Sequence, residues 1–266
     1  MKKSFNIDEF LLRYPHAEEK IKTNNIDINV LSEIYNDFVD YEISYENHAD
    51  FISNILRSQP IIHTVKSRIK DPDRLIEKII RTTEDRKSKY GKDFHFTLDN
   101  YKNEINDLIG IRVIHIFKDQ WQDIHEFITK TWSVIEVTAN VREGDNTKKF
   151  EELGIEVRSR ISGYRSVHYL VEFYPTNEKV IAEIQVRTIF EEGYGEIDHR
   201  LRYSHSEIPE ILRSNLLLFN RIAGSADEMA SLINDLSKEW FSKEEELLKI
   251  IEEQKEEIER LKKLNK

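Results

Sequence analysis

The sharpest alternation of polar and apolar positions in this 266-residue chain runs from Val180 to Arg187. Glu183, Gln185 and Arg187 share one side of an extended segment there, and Ile184 and Val186 share the other. This predicts a strand with one polar and one buried face. Ile109 to Phe117 is apolar on both faces except at Arg112 and His115, the pattern of a central strand covered by helices, and Asp107 stands at its entrance. Ile62 to Lys70 alternates again, with Lys66, Arg68 and Lys70 on one face and Val65, Ser67 and Ile69 on the other. Strands are also predicted near Trp132 to Val141 and over Ser166 to Tyr174, where Pro175 to Glu178 reads as the hairpin turn into the strand at 180.

Helical spacing marks the rest. Val30, Leu31, Ile34, Phe38, Val39 and Tyr41 recur near 3.6 residues with no Gly or Pro between 28 and 56, so one helical stretch is expected there. Asp71-Pro72 supplies an N-cap and a first-turn proline for a helix from Pro72 to about Lys89, with Lys78 nearly two turns in. A helix near Trp121 to Thr131 and a polar loop from Arg142 to Phe150 follow, and everything beyond Phe190 reads as helical, including Ile208 to Leu236. Leu247, Ile251, Gln254, Ile258 and Leu261 form a short coiled-coil stripe, although a terminal helix packed on its own domain gives the same pattern. The expected fold is α+β, a mixed sheet flanked by helices. Residues 1–56 form an acidic helical extension, 57–205 the central domain and 206–266 a helical carboxy-terminal extension.

Composition narrows the class. A hydrophobic content of 39% supports a real core, and the absence of cysteine removes disulfides and thiolate metal sites. No apolar run approaches the roughly 20 residues of a membrane span, and no apolar stretch follows Lys2 and Lys3, so a cytoplasmic protein without a secretory signal is expected. The net charge of −10 is unevenly placed. Residues 1–56 carry 11 acids against 5 bases, whereas 57–92 carry 11 bases against 5 acids. The second stretch is either a surface for an anionic ligand or a solvated helix face, and an acidic cap beside it would act as an electrostatic gate.

Two segments carry the chemistry, Asp107-Leu-Ile-Gly-Ile-Arg112 and Glu183-Ile-Gln-Val-Arg187. Each sets a carboxylate on or beside an apolar strand with an arginine close behind. If the strands are neighbours, Asp107 and Glu183 can converge on one Mg2+, which favours one or two carboxylates plus phosphate oxygens. Equally, each acid can simply pair with its arginine. In Ser162-Gly-Tyr164-Arg-Ser166-Val-His168, period two aligns Tyr164, Ser166 and His168, a set suited to a nucleoside, while a half-buried edge tyrosine explains the same pattern.

Taken in order, Arg68-Ile-Lys70 with Lys78 behind it, DLIGIR, SGYRSVH and EIQVRT resemble the synthetase domain of the RelA/SpoT family, the nucleotide pyrophosphokinases that make pppGpp and ppGpp. The likeness covers about residues 57–203, and 191–203 resemble that family's final helix. It implies a sheet of nucleotidyltransferase type and transfer of the β,γ-diphosphate of ATP to the ribose 3′-hydroxyl of GDP or GTP, releasing AMP. It further implies that Asp107 and Glu183 hold Mg2+, with Glu183 also taking the hydroxyl proton. Arg68 and Arg112 then sandwich adenine, and Lys70 and Lys78 hold ATP phosphates. Tyr164 stacks on the acceptor base, with His168, Gln185 and Arg187 around the acceptor sugar and phosphates. Where many members have lysines before the Gly-Tyr, this chain has Arg158 and Arg160, which leaves the acceptor open among GTP, GDP, GMP and something larger. Toxin relatives that modify the 3′ end of tRNA or make adenosine alarmones form the alternative. No His-Asp dipeptide of the family's hydrolase occurs, so synthesis without hydrolysis is expected, by a stand-alone enzyme that assembles with itself through its terminal helices.

Overall fold

The computed structural model describes residues 5–204 and 208–264. Four helices open the chain, α1 (Ile7–Arg13), α2 (His16–Asn24), α3 (Ile28–Asp40) and α4 (Glu42–Arg57). The single helix expected over 28–56 is broken at Tyr41, although neither Gly nor Pro stands there. Its halves bury their apolar stripes on different partners: α3 packs on α5 (Pro72–Tyr90), and α4 on β1 (Thr64–Ile69) and β2 (Ile109–His115). One straight stripe cannot face both, and Phe38 stacks on Tyr45 across the bend with ring centroids 5.3 Å apart. Asp71 caps α5 as its sequence predicts, Oδ1 accepting from the Arg74 N–H at 3.0 Å.

After β2 come α7 (Gln120–Thr131) and β3 (Ser133–Val141), the short α6 (Tyr101–Glu104) having preceded it. Then follow α8 (Lys148–Glu152), β4 (Glu156–Ser159), β5 (Ser166–Phe173), β6 (Val180–Thr188), α9 (Ile189–Ser204) and α10 (Glu210–Leu264). Two short elements escape the hydrophobic pattern. Helix α8 begins inside the segment read as a loop, and β4 is an edge strand in which only Val157 is half-buried, so nothing alternates.

Among the described residues the strands form one mixed six-stranded sheet in the order β1-β2-β6-β5-β3-β4. Pairs β2–β6 and β3–β4 are parallel and the others antiparallel. One sheet face is mostly apolar, with Ser67, His115 and Thr188 toward its edge and ends. Ile111, Val113, Tyr169, Val171, Ala182, Ile184 and Val186 share it, and the same core takes in Leu75, Ile76 and Ile79 together with Phe10, Leu31, Ile34, Phe38, Ile52 and Leu56. The amino-terminal helices therefore build the central core. Among the described residues no helix is long and apolar enough to cross a membrane.

Helix α10 docks on α9 through a small cluster of Tyr194, Leu216 and Ala223. Its inward stripe continues through Asn220, Gly224 and Asp227, all buried. From 238 to 263 every residue is exposed, including Leu247, Ile251, Ile258 and Leu261, so the heptad stripe does not pack on its own domain. The boundary expected between 205 and 206 lies outside the described residues.

Burial, and then the neighbouring Glu191 charge, push the Asp227 carboxyl up to about 7. An acid whose folded pKa exceeds its unfolded value is stable in its protonated form, and the fold loses that stability as pH rises from about 4 to about 7. Asp227→Asn should therefore raise Tm by about 2–10 °C at pH 8, the equivalent of about 1–3 kcal/mol for a relieved buried group. At pH 4.5 it should leave Tm nearly unchanged. Thermal unfolding at the two pH values checks this, and an equal effect at both would refute it.

Candidate active site

The polar face of the sheet is ordered in rows by strand register. In one row Lys66 of β1, Arg112 of β2, Gln185 of β6, His168 of β5 and Thr138 of β3 stand side by side. In the next row Arg68, Gly110, Glu183, Leu170 and Glu136 do the same. Gly110 is the low point of that row. A Cβ there would lie 3.1 Å from Arg68 Nε, so the glycine gives the guanidinium its place across the strand.

Asp107, just ahead of β2, lies between two ammonium groups, Lys70 Nζ at 2.7 Å and Lys78 Nζ at 2.9 Å. Burial would raise its carboxyl, but the Lys78 and Lys70 charges outweigh burial and hold it at about 2. Burial in turn lowers the Lys70 ammonium, against the pull of Asp107. Both acids expected at a metal therefore have partners other than their sequence-adjacent arginines. Glu183 accepts from Gln185 Nε2 at 2.6 Å and meets His168 Nδ1 at 3.1 Å. Burial works to raise its carboxyl too, yet the His168 and Gln185 contacts keep it below the usual range, while the Asp107 charge pushes the other way.

A proton-ordered chain leads away from Glu183. Arg187 Nη2 donates to the Tyr164 hydroxyl at 3.1 Å, and that hydroxyl stands 3.0 Å from His168 Nε2. Arginine has no acceptor, so Tyr164 accepts from Arg187 and donates to Nε2, which leaves the Nδ1–H of His168 to donate to Glu183. The rings of Tyr164 and His168 are perpendicular, and the Arg187 guanidinium lies 5.3 Å from the Tyr164 ring centroid. Ser166, aligned with them in sequence, is buried and donates to the Val186 carbonyl at 3.2 Å.

Two glutamates complete the site that strand patterns alone do not reveal. Glu192, only 6% exposed, gathers Arg187 at 3.2 Å, Arg112 at 3.3 Å and Lys66 at 3.5 Å, and Arg112 also pairs with Glu196. Their placement has a local cause. Thr188 and Glu191 form a reciprocal capping box, Thr188 N–H donating to Glu191 Oε2 at 2.9 Å and Glu191 N–H to Thr188 Oγ1 at 3.1 Å. Helix α9 thus starts where β6 ends, and Glu192 and Glu196 share its inner face. The Thr-x-x-Glu pattern was the readable signal.

The expected residues gather in two adjoining clefts. One, of about 690 Å³, is lined by Arg68, Lys70, Arg112, Tyr164, Gln185 and Arg187 among others. The second, of about 270 Å³, contains Lys78, Asp107, His168, Glu183, Arg158 and Arg160. Hence the ATP and acceptor sets do not divide along the clefts: Lys78 joins the smaller cleft, and Tyr164, Gln185 and Arg187 join the larger. Arg158 is exposed and held by Glu156 at 2.8 Å, whereas Arg160 donates to Asn140 Oδ1 at 2.6 Å. No described residue of 1–56 lines either cleft. Among the described residues no three His, Asp or Glu side chains cluster as a metal-binding group. The hard donors of the smaller cleft are the carboxylates of Asp107, Glu183 and Glu136, and oxygen donors of this kind suit a cation completing its shell with phosphate oxygens and water.

Residues 67–208, just over half of the chain, match the region found in RelA/SpoT proteins. The chain is 30% identical over 181 residues to the GTP pyrophosphokinase YwaC of Bacillus subtilis, a stretch spanning 64% of this chain and 71% of that one. It is 31% identical over 137 residues to GTP pyrophosphokinase YjbM of the same organism, spanning 48% and 57%. The fold superposes on the crystal structure of small alarmone synthetase 1 from Bacillus subtilis with a TM-score of 0.59 at 21% identity, covering 77% of this chain and 99% of the other. With the family's region spanning five of its six strands, the second half of β1 and nearly all of both clefts, the chain belongs to the RelA/SpoT family.

Proposed function

We propose that the protein is a GTP pyrophosphokinase that moves the β,γ-diphosphate of ATP to the ribose 3′-hydroxyl of GDP or GTP. The observation that carries this reading is the pairing of two carboxylates, Asp107 and Glu183, in one cleft beside a sheet face crowded with Lys and Arg. Its relatives are GTP pyrophosphokinases, and a structural neighbour is seen bound to its product pppGpp and, separately, to AMPCPP. No observation favours the tRNA-directed or adenosine-alarmone alternative. The reading includes synthesis without hydrolysis, a cytoplasmic location and self-assembly through the exposed stripe of α10.

In the reaction the acceptor 3′-oxygen attacks the β-phosphorus of ATP, the bond to the bridging α–β oxygen breaks, and AMP leaves with that oxygen. Glu183 orients the hydroxyl and receives its proton, and the His168 N–H holds the carboxylate in place. Lys70, Lys78, Arg68 and Arg112 bind and align the ATP triphosphate and adenine, so positioning and charge neutralisation lower the barrier. When bound, Mg2+ on Asp107 and Glu183 would supply further neutralisation of phosphate charge and make the hydroxyl more acidic.

Incubation with terminally labelled ATP, Mg2+ and either GDP, GTP or bulk tRNA tests the reading. Label should pass to GDP or GTP, and Glu183→Gln should lower turnover by about 100-fold or more while ATP binding persists. Transfer to tRNA, or none at all, would overturn it. Lys78→Met should instead raise the KM for ATP about tenfold, the equivalent of one lost charge-assisted phosphate contact, with a smaller effect on kcat. Steady-state kinetics at saturating GDP reads that split.

A further inference from the structure

Helix α10 lies beyond the residues shared with the family region, yet it reaches the loop that carries Tyr164. Asn220, 1% exposed, donates from Nδ2 to the Gly163 carbonyl at 2.8 Å and accepts at Oδ1 from Arg165 Nη1 at 3.2 Å. The carboxamide is thereby fixed, since only this orientation satisfies a carbonyl on one side and a guanidinium on the other. Its two partners flank Tyr164. Arg165 is anchored from behind by two bonds to Asp145, at 2.6 and 3.0 Å.

The helix and loop approach each other closely at two glycines. Gly163 has φ +76°, and a Cβ on it would stand 2.8 Å from the Asn220 carboxamide. On the helix side, a Cβ on Gly224 would stand 3.2 Å from Arg165 Nη2. The approach at 163 needs glycine for conformation as well as space, and that at 224 is tight against the end of the Arg165 side chain. The Tyr194 hydroxyl of α9 holds the Ser162 carbonyl. Residues 162, 163 and 165 are therefore pinned to the helical layer, and Tyr164 alone of the four turns toward the cleft and its contacts with His168 and Arg187.

We propose that Asn220 is a positioning residue for acceptor binding, setting the pose of the Tyr164 ring through the Gly163 carbonyl and Arg165, so that α10 is a working part of the nucleotide site. The proposal rests on the function given above and deepens it. A buried asparagine whose hydrogen bonds both go to the neighbours of one ring fixes that ring at a distance, as misplacement of a binding group raises KM without touching the reacting atoms.

Kinetics of the full-length chain test it. Asn220→Ala should raise the KM for GDP about tenfold, with kcat and the KM for ATP within about twofold. Asn220→Asp should do the same, because a carboxylate keeps Arg165 but cannot donate to the Gly163 carbonyl. Ser231→Ala is the control for docking of α10, since its Oγ accepts from the Lys118 N–H at 3.3 Å away from the loop, and it should leave all three constants unchanged. Should Asn220→Ala fail to fold, Gly163→Ala must give the same rise in the KM for GDP by pushing the loop off Asn220. Wild-type constants at Asn220→Ala or Asp, a loss confined to kcat or to ATP, or an equal effect of Ser231→Ala would overturn the proposal. An inactive wild-type enzyme would instead defeat the functional reading, and GDP affinity by calorimetry, expected to weaken about tenfold in Asn220→Ala, would still test the clamp.

Discussion

Three cations reach for one buried carboxylate, and the arrangement of the active face depends on that convergence. Lys66, Arg112 and Arg187 stand on three adjacent strands, with Arg187 as buried as the acid and Lys66 half exposed, and without Glu192 between them the sheet would set like charges side by side. Breaking a buried pair by removing one partner typically costs about 3–5 kcal/mol, and of the three pairs it is Arg187–Glu192 that is buried on both sides. The capping box at Thr188 and Glu191 is what delivers it, because a helix begun one residue later would turn Glu192 away from the sheet.

The same economy of charge runs through the smaller cleft. Asp107 holds two lysines and is held ionised by them, so the acid and the bases keep one another desolvated and in place before any nucleotide arrives. A polyphosphate with its cation brings the complementary pair. On the proposed function, its oxygens would take over the ammonium groups and its cation the carboxylate. Binding on this surface would then be an exchange of ion pairs, which avoids leaving a buried charge unpaired at either end.

Most of the strand framework was legible because strand faces are written in period two. The polar row of Glu183, Gln185 and Arg187 and the doubly buried strand around Arg112 both emerge from alternation alone, and their parallel pairing brings Glu183 beside Gly110. Contacts set by tertiary packing were not legible. The break at Tyr41 follows from two separate burial partners, which no local residue encodes. Strand β4 has too little burial to alternate. Glu192 and Glu196 act on strands far off in sequence, so their roles appear only once α9 is laid against the sheet. Ion pairing was foreseen for Asp107, but with Arg112 as its partner, and Lys70 and Lys78 win because they approach from both sides of it.

Helix α10 obeys two regimes along one continuous rod. Near its start, Leu216 and Ala223 are the apolar groups of the buried stripe, which they share with Asn220, Gly224 and Asp227, while Phe219, Glu228 and Ser231 add contacts at its margin. A seam that small and that polar contributes little hydrophobic stabilisation, so specific geometry, rather than buried area, is what holds the helix in register on the Tyr164 loop. Further along, the apolar stripe is large and the contact with the domain is gone. The two halves therefore answer to different demands: the docked half must place one loop to within a hydrogen bond, and a polar, glycine-lined contact does that because it tolerates no slippage, whereas an apolar seam of the same length could slide by a turn and still be buried.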